Sequence, residues 1–90
     1  MMAKFMQVAI GYAGKSVAVT DIQKTFGSAG WARYAPNCWI IYTNEQPSAI
    51  AERIRAFCDQ KDSIFVCELD IYNNFGYLQK EIWDWINERK

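Results

Sequence analysis

The sequence predicts an α+β domain whose strands and helices follow in the order βαββαβ, with one further helix at the C-terminal end. Three observations carry that expectation. Of the 90 residues, 51% are apolar and 16% aromatic, enough for one core in a chain of single-domain length, residues 1–90. Short β-branched and aromatic runs alternate with stretches of helical spacing. Glycine, proline and asparagine gather between those stretches.

Phe5-Met6-Gln7-Val8-Ala9-Ile10 is an apolar run of strand length, followed by Gly11 and Gly14. Val19, Ile22 and Phe26 recur at spacings of three and four, and Gly27, Ser28 and Gly30 end the pattern, which predicts a short helix. Trp31 to Ala35 and Cys38 to Thr43 flank Pro36-Asn37, so two strands joined by a tight turn are expected there. Pro47 suits a first helical position and opens a helix over Ser48 to Asp59, with Ile50, Ile54, Phe57 and Cys58 as its apolar stripe. Ile64 to Asp70 reads as a strand, and Tyr72-Asn73-Asn74-Phe75-Gly76 as a turn-rich connector. Tyr77 to Arg89 predicts a third helix whose Leu78, Ile82, Trp85 and Ile86 share a face. Trp83 lies roughly 100° from that stripe and is expected to be exposed. This order is that of a ferredoxin-like split βαβ arrangement with an added C-terminal helix. Both central helices then cover one side of an antiparallel sheet, and the other side awaits the added helix or a partner.

Composition removes several chemistries. Ten Lys plus Arg balance ten Asp plus Glu, which argues against a strongly basic nucleic-acid arm or an acidic disordered tail. There is no histidine, so the commonest general base and metal-binding nitrogen are missing. Cys38, Cys58 and Cys67 are odd in number and show no CxxC spacing, which fits reduced thiols in apolar surroundings better than a disulfide framework or a zinc site. Met1 to Gln7 lacks the pattern of a signal peptide, and no run approaches about 18 apolar residues, so a cytoplasmic protein without a membrane span is expected.

Three groups of residues could carry chemistry. Gly11-Tyr12-Ala13-Gly14-Lys15-Ser16 lies between a strand and a helix, where free amides and Lys15 could hold an anion. It is not a Walker A loop, because the first glycine of that pattern falls on Ala9. The plainer reading is a flexible turn with Ser16 near a helix N-cap. Tyr12, Trp31, Arg33 and Tyr34 mix aromatic rings with a cation, as base stacking beside a phosphate requires, although Trp31 and Tyr34 fall on opposite strand faces. Charge is also uneven: Lys4, Lys15, Lys24 and Arg33 face only Asp21 in residues 1–35, whereas 62–88 hold six acids against Lys80. Glu68 and Asp70 share a strand face, but two carboxylates without a third ligand make a poor metal site. Phe75, Tyr77 and Trp83 read as an interface, since large exposed rings are better explained by a protein partner than by water.

The aromatic hairpin Trp31 to Thr43, the segment Ser48 to Asp59, the run Asp62 to Leu69 and the terminal Trp85-Ile86 resemble small SinR-like proteins, relatives of the ferredoxin-like CRISPR-associated spacer-acquisition subunit. The resemblance implies a homodimer built by pairing sheets, with a central site near the end of the first strand. Nuclease-like members carry an Asp after a Tyr there, whereas this chain has Ala13 after Tyr12. The leading expectation is a non-catalytic, dimeric protein that binds a nucleotide or single-stranded RNA through Gly11, Tyr12, Gly14, Lys15, Ser16, Trp31 and Arg33, without cofactor or metal. A sequestering accessory protein in phage or bacterial defence would be one form of it. The alternatives are a protein-interaction module without a small ligand, and an endoribonuclease of the resembled family.

Overall fold

The computed structural model describes residues 3–90. Among them are a four-stranded antiparallel sheet and three helices, in the order β1 (Lys4–Gly11), α1 (Val19–Lys24), β2 (Gly30–Ala35), β3 (Cys38–Thr43), α2 (Pro47–Arg55), β4 (Ser63–Glu68) and α3 (Lys80–Arg89). The strands lie side by side as β2-β3-β1-β4. The first strand is therefore central, paired with β3 from Lys4 opposite Thr43 to Ala9 opposite Cys38, and with β4 from Met6 opposite Glu68 to Gly11 opposite Ser63.

Alternation along β1 divides the interior into two cores, because successive side chains point to opposite faces. Met6, Val8 and Ile10 face one side, where they meet Trp39 and Ile41 of β3, Ile22 and Phe26 at α1, and Ile50 and Ile54 of α2. Phe5 faces the other side and packs with Ala32, Ile40, Ile82 and Ile86. The sheet is thus covered by α1 and α2 on one face and by α3 on part of the other.

Local chemistry explains where the helices begin and end. The positive φ of Gly27, 64°, closes the turn after α1, a conformation that residues with a Cβ rarely adopt. Pro47 occupies the start of α2, where its missing N–H costs nothing. Ser16 is not the N-cap of α1, since that helix starts at Val19 and Ala18 stands at its cap. The second helix stops at Arg55, short of Asp59. Beyond it, the Arg55 guanidinium donates to the carbonyls of Asp59 (2.6 Å) and Asp62 (3.0 Å), and the Asp62 carboxylate accepts the Asp59 N–H (2.9 Å). These bonds wind the segment into a tight turn and leave Phe57 half exposed instead of in the stripe.

The expected exposure of Trp83 is corrected by the same kind of detail. Because α3 starts at Lys80 and not Tyr77, Leu78 is no longer part of its stripe. With Ile82 and Ile86 as the buried centre, Trp83 and Trp85 flank it on either side, each roughly 80° away at about 100° per residue. Both indoles are half-buried against the second core. Phe75 and Tyr77 remain open to solvent, 87% and 91% exposed.

The two charge-biased halves of the sequence meet at the seam between β1 and β4. Adjacent pairing of β1 and β4 brings Lys4 within 3.4 Å of Glu68, and Lys24 and Lys80 pair with Asp21 and Asp84 on their own helices. The best-built ion pair joins Arg53 and Glu45 through two hydrogen bonds of 2.8 and 2.6 Å, while Arg53 Nε donates to the Thr25 carbonyl. The hydrogen bonds from Arg53 hold the Glu45 carboxyl below its usual pKa. A depressed carboxylate pKa stabilises the fold above the unfolded pKa, and that contribution fades as pH falls through the folded one. Glu45→Gln is therefore expected to lower stability by about 0.5 to 1 kcal/mol at neutral pH, the pair being partly solvated. The difference from wild type should shrink toward zero below roughly pH 4, which urea titrations at a series of pH values would read.

Candidate functional site

The corner after β1 is built around Asp62. Its carboxylate is buried at the start of β4, next to Gly11 through the β1–β4 pairing, and Oδ1 accepts the Ala13 N–H at 2.8 Å while Oδ2 accepts the Asp59 N–H. The chain's own carboxylate thus already occupies one of the free amides that an external anion would use. Gly14, Lys15 and Ser16 are exposed, and a hollow of about 210 Å³ beside them is lined by Lys15 and Lys61 together with Asp59 and Asp62, so its charges balance. Tyr12 leans back onto the first core, and burial, then the neighbouring Cys58, pushes its phenol above the usual pKa. Burial, then Asp62, likewise raises the Cys58 thiol.

Trp31 and Arg33 lie elsewhere. They sit on the edge strand β2, opposite Ile41 and Trp39, and neither lines the hollow that contains Lys15. The Arg33 side chain turns back on its own hairpin, donating from Nε (3.1 Å) and from a terminal nitrogen (2.8 Å) to the Pro36 carbonyl. Tyr34 points to the opposite face, as the odd spacing required, and packs on the second core. Burial there, together with the adjacent Cys38, pushes its phenol up to about 12. Glu68 ends β4, Asp70 lies beyond it, and no group of acids and cysteines suited to a metal ion occurs among the described residues.

A different region gathers exposed apolar groups. α3 crosses the β2 side of its face, with Trp85 and Arg89 over Gly30. That position leaves the β4 side open. Register places Ala9, Phe65, Gln7 and Cys67 on this uncovered strip, and Phe65 is 63% exposed. The strip runs into a groove of about 160 Å³ between the sheet, the connector 69–79 and the start of α3, with Tyr34, Ile40, Leu69, Phe75, Leu78 and Trp83 among its walls. No charged side chain lines it. Phe75, one of those walls, meets Tyr77 edge to face at 5.5 Å between centroids.

Of the interface residues, Phe75 and Trp83 both line the groove, and Tyr77 packs on Phe75. The anion-site residues split between the corner and the β2 edge. Two residues escaped the sequence reading. Phe65 sits in an apolar run, and only the alternation of an edge strand, with Ile64 and Val66 turned to the core, would have singled it out. Asp62 acts on a residue 49 positions away, a separation that no local spacing encodes. Comparison with protein-family models, curated proteins and solved structures finds no match for this chain.

Proposed function

We propose that the chain is a protein-interaction module, and that the uncharged groove beside α3 receives an apolar segment of another protein. One observation carries this reading: Phe75, nearly fully exposed and in edge-to-face contact with the equally exposed Tyr77, lines an apolar groove that continues onto a strip carrying exposed Phe65. Burying such a ring contributes about 1.5 to 3 kcal/mol, and aromatic residues around a desolvated pocket are the usual anchors of protein interfaces. A nucleotide or RNA would need cations at the same place, and the groove supplies none. The strand order β2-β3-β1-β4, with α1 and α2 on one face, supports a ferredoxin-like split βαβ scaffold for this module.

Site-specific photo-crosslinking tests the reading. A photoreactive phenylalanine analogue at Phe75 is expected to give discrete protein adducts in an extract of the natural host. The same analogue at Glu52, exposed on α2 in the opposite layer, should give none. Adducts to RNA from position 75, or equal labelling from both positions, would overturn it.

A further inference from the structure

We propose that the segment received by the groove carries a carboxylate two positions from its apolar anchor, and that Arg89 and Lys90 hold this carboxylate in a second hollow farther along the same sheet face. The inference rests on the groove reading and adds the chemistry of the partner. The second hollow measures about 610 Å³ and shares Leu69 and Ile71 with the groove, so the two adjoin. Phe5 and Tyr42, ring against ring at 4.8 Å, form its floor, with Arg89 and Lys90 from the end of α3 and Tyr72 from the connector around them.

Strand register sets the spacing between the two hollows. Gln7 and Ile40, opposite each other in the sheet, line the groove, and the next pair on the same face, Phe5 and Tyr42, lines the second hollow. Two residues of strand advance about 6.8 Å. An extended segment lying along the strands covers that step with its residues i and i+2, whose side chains fall on one side.

Charge selects what enters the second hollow. Its walls include Lys4, Arg89 and Lys90 against Glu68 and Asp70. Lys4 stands 3.4 Å from Glu68, which cancels one charge of each sign, and one Asp70 carboxylate oxygen accepts the Tyr72 N–H of its own turn at 3.1 Å. Arg89 and Lys90 rest on rings instead, the guanidinium 4.3 Å from the Trp85 ring centre and the ammonium 5.5 Å from that of Tyr72. Such contacts fix the position of a cation and leave its charge uncompensated. Arg89 donates from one terminal nitrogen to the Trp85 carbonyl, and Glu88, 3.7 Å from that nitrogen, is mostly solvated. Its other two nitrogens and Lys90 Nζ have no acceptor among the described residues. The walls are thus positive by one charge, whereas the hollow beside Lys15 is balanced. One carboxylate matches that excess and suits a guanidinium already held in place. A nucleic-acid strand does not, because it brings several phosphates to a wall that also holds Glu68 and Asp70.

Selection of random phage-displayed peptides on the immobilised chain tests the proposal. Enriched peptides are expected to place an aspartate or glutamate two positions from a large apolar residue. The best of them, made synthetically, should bind at least about tenfold more weakly when its acid is replaced by the amide, and the double variant Arg89→Gln with Lys90→Gln should weaken the acid peptide as much. Lys90→Gln alone, at an exposed position, should leave the thermal transition in place and still weaken the acid peptide about threefold. In nitrogen-15 spectra both peptides should shift the Trp83 indole N–H, which reports the groove, and only the acid form should shift the Arg89 Nε–H. Enrichment of basic or uncharged peptides whose binding depends on Phe75 would overturn the carboxylate site and leave the groove reading standing. So would an acid peptide indifferent to both variants. Enrichment of no peptide, or displacement of the acid peptide from both hollows by single-stranded RNA, would overturn the two together.

Discussion

Trp39→Ala is expected to cost about 3 to 5 kcal/mol of folding stability, enough to leave a domain of this size largely unfolded at moderate urea concentrations. The indole is fully buried in the first core, meets Phe26 edge to face at 5.6 Å, and donates from Nε1 to Gln23 Oε1 at 3.2 Å. Removing it takes away one wall of the contact between the sheet and α1, and the rigid strand on either side of β3 cannot close the space. Trp39→Phe separates the contributions. It keeps an aromatic ring but forfeits the hydrogen bond and some volume, and should cost about 1 to 2 kcal/mol. Urea unfolding followed by far-UV circular dichroism would measure both. A loss below about 1 kcal/mol for Trp39→Ala would mean that the indole is not the centre of this core.

Asp62→Ala should cost about 2 to 3 kcal/mol, because hydrogen bonds from amides to a carboxylate are stronger than neutral ones and two amides lose their acceptor at once. Asp62→Asn keeps one acceptor oxygen but turns an NH₂ group toward the other amide, so it should recover less than half of the loss. The sensitive readout is local. Amide exchange at Ala13 and Asp59 should accelerate more than exchange in β1, since the bonds removed are those that hold the corner and the turn before β4. Unchanged exchange at Ala13 would refute the structural role of Asp62.

The contrast between these two residues shows what the sequence makes legible. The α+β alternation of elements could be read because each rests on local signals: Pro36-Asn37 between two aromatic runs, Pro47 at a helix start, and the spacing of Val19, Ile22 and Phe26. Element ends were less legible. Tyr77 and Leu78 continue the helical spacing into α3, yet Leu78 is drawn onto the second core ahead of the helix, and the shift at that end reorients the expected place of Trp83. The candidate anion site was legible only as a set of residue types. Whether Lys15, Trp31 and Arg33 meet depends on how many strands separate them, and β2 lies two strands from β1. The bonds of Asp62 to Ala13 and of Arg33 to Pro36 are choices among nearby partners that composition does not rank.

The central position of β1 has a consequence for how the chain acquires its shape. Its two ladder partners come about 30 and 60 residues later, so β1 is synthesised long before it can be enclosed on both sides. Until β4 emerges, the β2–β3–β1 portion has no helix α3 over Phe5 and no neighbour along one flank of β1. A nascent chain of this kind spends much of its synthesis time with an apolar strand available to the wrong neighbour.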